Sequence, residues 1–141
     1  TYQIIIQTQD VQLPNPFVEC ETMAQAEQLA GFSMTLPNMI PNWMDDMEIR
    51  AVEDSMIDVV FTGAGNTLSV RKGIGQDDIS GDYSSYPETE TVDLDGRSVT
   101  LKGEEGKVSL AVWSDGEYAY AMRCSYGIER ELFCSMISGV Q

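Results

Sequence analysis

The stretch Val92-Asp93-Leu94-Asp95-Gly96-Arg97-Ser98-Val99-Thr100-Leu101 decides the fold class. Val92 and Leu94 fall on one face of an extended chain, and Val99 and Leu101 resume that alternation after Asp95-Gly96. An Asp-Gly pair between two alternating runs is a two-residue hairpin signal, because both residues accept the left-handed backbone that such a turn needs. The stretch therefore reads as two antiparallel strands.

The same rhythm spreads in both directions. Downstream, a turn at Glu104-Glu105-Gly106 leads to Val108, Leu110 and Val112, and Asp115-Gly116 leads to Tyr118, Tyr120 and Met122. Upstream, Ile49 and Ala51, then Ile57, Val59 and Phe61, then Leu68 and Val70 after Gly63-Ala64-Gly65-Asn66, repeat the period of two. Alternation of this kind marks half-buried strands. The turns are short, so sequence neighbours are expected to pair in the sheet. The other face, with Ser69, Arg71, Ser98, Thr100, Lys102, Ser109 and Arg123, is expected to meet water.

Helical rhythm is confined to the ends. Thr22 through Gln25 fits a capping box, Met23, Ala26, Leu29 and Ala30 form an apolar stripe, and Gly31 ends the helix. Ile128, Leu132, Phe133, Met136 and Ile137 form a second stripe. The isoleucines of Tyr2 to Gln7 read as an N-terminal strand, followed by a break at Pro14-Asn15-Pro16. The expected fold is α+β: an antiparallel meander of about seven to eight strands, covered on one face by an N-terminal and a C-terminal helix. The chain of 141 residues is read as a single domain, with 1–16 as N-terminal strand and linker and 17–141 as the core.

Composition limits the function. Eight Lys and Arg stand against 23 Asp and Glu, for a net charge of −15. Phosphate binding needs clustered basic residues, so nucleic acid is not an expected partner, and neither is anionic lipid. No apolar run is long enough to insert into a bilayer. With no His, a Ser or Cys triad lacks its usual base. The chain begins with Thr1 and shows no signal-peptide pattern, so it reads as a piece of a longer precursor. A removed leader, a removed anchor and tag cleavage all fit. Of the three cysteines, Cys124 and Cys134 meet if the last helix folds back on the last strand; buried free thiols fit equally.

Two segments carry candidate sites. The Gly-rich stretch from Gly73 to Tyr86 holds Asp77, Asp78 and Asp82 after Arg71 and Lys72. Carboxylates and carbonyls converging there suit calcium; the plainer reading has Arg71 or Lys72 pairing with an aspartate to pin a glycine-shaped turn. The Asp93-to-Gly96 pattern only opens a calcium loop, since the residues that follow form a hairpin strand. The loop with Trp43 and Met44 has the composition of a partner-binding surface, against the alternative that both tuck under the sheet edge.

The run Arg71-Lys72-Gly73-Ile74-Gly75-Gln76-Asp77-Asp78-Ile79-Ser80-Gly81-Asp82-Tyr83 is distinctive, as is its setting among Asn15-Pro16-Phe17, Ala30-Gly31-Phe32, Leu36-Pro37, Leu101-Lys102-Gly103 and Ala111-Val112-Trp113. This set resembles an uncharacterised domain family of Gram-positive bacteria, the domain of unknown function four-three-six-seven, over nearly the whole chain from Asn15. The resemblance implies an extracytoplasmic domain tethered to the membrane through an upstream segment, in anti-sigma-factor-like and lipoprotein architectures. It implies no activity and no catalytic residues. Trp43 and Met44 depart from the polar or glycine-rich loop of that family. The expected function is a non-enzymatic binding or sensing module for a protein or an envelope ligand; the alternative is a carboxylate-dependent hydrolase of a cell-envelope polysaccharide.

Overall fold

A computed structural model describes residues 16–82 and 84–141. The expected N-terminal strand at Tyr2 to Gln7 lies outside the described residues. In chain order the elements are β1 (Val18–Cys20), α1 (Met23–Ala30), β2 (Asp46–Val52), β3 (Met56–Gly63), β4 (Asn66–Ile74), β5 (Glu88–Leu94), β6 (Arg97–Glu104), β7 (Lys107–Ser114), β8 (Tyr118–Glu129) and α2 (Arg130–Ser138). The strands form one antiparallel sheet in the order β1-β2-β3-β4-β8-β7-β6-β5.

This order corrects the expectation of a single meander. The chain zigzags from one edge to the centre through β1 to β4. It then crosses to the far edge over residues 75–87 and zigzags back through β5 to β8. The halves meet where β4 pairs with β8, from Leu68 opposite Cys124 to Ile74 opposite Tyr118. Short turns force local pairing, and this long connection is free of that constraint.

Register explains the core. The row Cys20, Ile49, Val59, Val70, Met122, Ala111, Leu101, Glu90 runs across all eight strands on one face. Residues of both helices share a single apolar cluster with this face: Ala26 and Ala30 from α1, and Phe133, Met136 and Ile137 from α2. A register shift between Val108 and Leu110 alters one expected grouping. It leaves Val108 in the core cluster but puts Ala111 and Trp113, rather than Leu110 and Val112, on the core face. A bulge inserts one residue, so every later side chain changes sides.

Local signals behave as their chemistry dictates. The Thr22 side chain accepts from Gln25 N at 3.2 Å, and the Gln25 side chain accepts from Glu21 N at 2.7 Å. Gly31 ends α1 in the left-handed region, at φ 92°. Asp95 and Gly96 have φ of 54° and 82°, as a two-residue hairpin turn requires. Arg97 donates to the Val140 and Ile137 carbonyls at 2.7 and 3.1 Å, placing a cation on the end of α2. All three cysteines are free thiols, and Cys124 is buried.

Candidate functional site

Ile79 and Asp82 of the connection between β4 and β5 are bonded to the polar face of the sheet, which is therefore only partly open to water. Its central row is Glu19, Arg50, Asp58, Arg71, Ala121, Val112, Thr100, Thr91. Asp58 is fully buried. Arg50 donates to its Oδ2 from Nε at 2.9 Å and from Nη2 at 2.8 Å. Ser69 Oγ donates to Oδ1 at 2.7 Å, and Arg71 donates to both oxygens at 3.3 Å. The Phe17 ring lies 4.3 Å from the Arg50 guanidinium carbon and 5.5 Å from that of Arg71.

The crossing segment is tied into this layer. Arg71 Nη1 donates to the Ile79 carbonyl at 2.8 Å, and Arg123 Nε donates to Asp82 Oδ2 at 3.0 Å. The Asp82 side chain is 1 % exposed and also accepts from the Tyr86 hydroxyl and from Ser84 N. Burial pushes the Asp82 carboxyl up, but hydrogen bonds from Tyr86, Ser84 and Arg123 outweigh it and hold the group well below the usual carboxylate range. Burial and the bond to Asp82 raise the Tyr86 phenol.

The three aspartates read as calcium ligands, Asp77, Asp78 and Asp82, meet different surroundings. Among the described residues no three His, Cys, Asp or Glu side chains are grouped as a metal ion needs. Asp77 and Asp78 are exposed, and Asp78 accepts from Ser80 N at 2.8 Å. Asp82 is turned inward onto Arg123. The plainer reading pairs Arg71 or Lys72 with one of these aspartates. In the structure Asp82 pairs with Arg123 of β8, while Arg71 meets Asp58 and the Ile79 carbonyl and Lys72 meets the Ser33 carbonyl.

Lys72 occupies the opposite face. It is 7 % exposed, with Nζ 4.3, 5.4 and 5.5 Å from the ring centres of Tyr118, Phe32 and Tyr120. Nζ donates to the Ser33 carbonyl at 2.7 Å. Burial lowers its pKa against the opposing fields of Asp115, Glu117 and Glu27. The sequence did carry a signal for this site, because Lys72 continues the alternation of Leu68 and Val70 and so belongs to the apolar face. Asp58 had a similar one, lying between Ile57 and Val59 in a strand whose other face was expected to be wet.

The Trp43 and Met44 loop lies at a corner of the sheet, beside the start of β2 and the end of β3. Asp45 N donates to the Thr62 carbonyl at 3.0 Å, and a side chain at Gly63 would run into the Trp43 carbonyl. Met44 and Ile40 are half-buried against the core, and Trp43 is half-buried. Between Ile40, Met44, Met47 and Phe61 lies a groove of about 250 Å³, rimmed by Asp45 and Asp46. Met47 in its wall is 49 % exposed, and Met39, the chain neighbour of Ile40, is 58 % exposed. Sequence reasoning found Trp43 and Met44 but missed Met39 and Met47 as the exposed members.

Compared with known proteins, the chain matches no family model, no curated protein and no solved structure. Among the described residues no helix is long and apolar enough to cross a membrane.

Proposed function

We propose that the chain is a non-enzymatic binding module that takes a basic, apolar-anchored segment of a partner protein at the Met39 to Met47 corner. The observation that carries this reading is the exposed Met47 lining a shallow groove with Phe61 in its wall, with Met39, the chain neighbour of the groove residue Ile40, also exposed. Unbranched, polarisable methionine side chains adapt to varied partners, and apolar surface of this kind is buried in protein interfaces. The acidic rim of Asp45 and Asp46, on a chain of net charge −15, selects a partner of opposite sign. The resemblance to extracytoplasmic Gram-positive domains supports an envelope setting and a membrane-tethered precursor.

Methionine-methyl NMR tests this reading directly. Titration with an amphipathic lysine-leucine helical peptide is expected to shift the Met39, Met44 and Met47 methyls and leave the buried Met122 and Met136 in place. Replacing Met47 by Ser and Met39 by Ser should each weaken the response several-fold. Shifts spread evenly over all eight methionines, or no response at millimolar peptide, would refute the assignment.

A further inference from the structure

The two edges of the sheet differ. β1 offers three residues, whereas β5 offers seven, Glu88 to Leu94. β5 has no proline, no lysine and no bulge, the devices that commonly blunt an open edge. Among the described residues no strand pairs with its outer side.

The hairpin turn fixes which backbone groups face outward. A two-residue turn closes on a hydrogen-bonded pair, here Leu94 with Arg97, and bonded pairs alternate along an antiparallel ladder. Leu94, Val92, Glu90 and Glu88 therefore spend their backbone bonds on β6. Thr89, Thr91 and Asp93 point theirs away from the sheet.

These three residues are placed symmetrically about Thr91, so a second copy can meet them around a two-fold axis. Thr91 then bonds Thr91 of the second copy, and Thr89 bonds Asp93, all through outward-facing groups. Glu90 falls opposite Val92, and Glu88 opposite Leu94. This register uses the whole strand and sets no carboxylate directly against another. The next register of the same parity on one side opposes Glu90 to Glu90. The next on the other side leaves Glu88 and Thr89 facing the Asp95-Gly96 turn. Like charges directly opposite one another oppose pairing, so the symmetric register wins.

Both faces of such a joint are complementary. On the polar face Thr89 lies opposite Lys102 of β6, and Asp93 of the second copy continues that row. Lys102 and this Asp93 stand two strand spacings apart, about 10 Å between backbones, with a small threonine between them. Among the described residues Lys102 makes no ion pair. On the core face a groove of about 160 Å³, with Leu101 and Val108 in its wall, opens beside Glu88 and Glu90. Leu94 and Val92 of the second copy arrive at its mouth. The two Glu90 carboxylates come diagonal to each other across the axis, and each is already held through both oxygens by its own Arg130 at 2.9 Å.

We propose that β5 pairs with β5 of a second copy around a two-fold axis at Thr91, joining two chains into one continuous sheet. Lys102 of each copy clasps Asp93 of the other.

Ultracentrifugation of the full chain tests this at about 0.15 M salt, where a Debye length of about 8 Å screens the charge of −15 on each copy. A concentration-dependent dimer is expected, with amide exchange at Thr89, Thr91 and Asp93 slowing as it fills. Asp93→Lys sets a lysine against Lys102 of the second copy, and Lys102→Glu sets a glutamate against Asp93. Each variant alone should weaken the dimer about tenfold. For Asp93→Lys the sign is diagnostic, because a smaller net charge would by itself tighten association. An equal mixture of the two variants brings opposite charges together at both pairs and should associate as tightly as the wild type. A wild type that stays monomeric at millimolar concentration, dimers that leave these three amides unprotected, or a mixture no tighter than either variant alone would each overturn the proposal.

Discussion

Arg71 and Lys72 are consecutive residues of β4, and both cations are largely withdrawn from water, yet the two faces of the sheet answer them differently. Arg71 points to the polar face, where the buried Asp58 carboxylate and the Ile79 carbonyl receive it. Lys72 points to the apolar face, where aromatic rings and the single Ser33 carbonyl receive it. A guanidinium with a planar fork of donors can tie several acceptors together, whereas an ammonium is a point charge that rings can solvate. The polar face is thus a packed layer in its own right, built from charge and hydrogen bonds where the other is built from apolar area.

The largest effect expected from breaking this contrast lies at Asp58. Asp58→Ala leaves Arg50 and Arg71 beside each other without their shared carboxylate. Removing one partner of a buried ionic group costs about 3–5 kcal/mol. Urea denaturation should show a loss of that size; a loss under about 1 kcal/mol would mean that water reaches the arginines freely.

A smaller loss is expected for Asp82→Asn, which removes the charge that holds residues 75–87 to Arg123. The cost should be about 1–3 kcal/mol at neutral pH. The folded carboxyl titrates below its ordinary value, so its stabilisation is complete above that value and disappears as pH falls through the lower folded one. The gap between the wild type and Asp82→Asn, followed by thermal melts, should be constant near neutrality and close in acid. A gap independent of pH would show that the charge contributes nothing.

The smallest effect is expected at Lys72. Lys72→Met keeps the side chain's bulk and removes a charge that burial penalises, while the Ser33 carbonyl belongs to an exposed residue and can turn to water. Stability at neutral pH should change by no more than about 1 kcal/mol. Because the folded lysine releases its proton more readily than the unfolded one, the wild type should gain on the methionine variant as pH rises towards the ordinary lysine range. Parallel stability curves would contradict the lowered lysine pKa.

Much of this arrangement was legible in the sequence. The alternation at Ile57, Val59 and Phe61 fixed a strand and its inward face, and Asp95-Gly96 fixed a hairpin. Both signals are local and rest on backbone geometry alone. The joining of the halves through β4 and β8 was not legible, because a connection of the length of residues 75–87 leaves the next strand free to pair anywhere. The inward turn of Asp82 depends on Arg123, which is 41 residues away and meets it only once β8 lies beside β4. Trp43 and Met44 stood out by composition, whereas the exposure of Met39 and Met47 depends on how the loop closes over Gly63. Val18 to Cys20 was missed as a strand because three residues carry no periodicity.

The molecule is one sheet whose halves are fused at its centre, where β4 pairs with β8, and braced on the polar face by Arg71 and Arg123. Native-state amide exchange across β4 and β8 tests this most directly. Val70, Lys72, Ala121 and Met122 should exchange only through global unfolding, with the same free energy for interior amides of β3 and β7. Two separate opening energies, one for β1 to β4 and another for β5 to β8, would show two independent units that share only a seam.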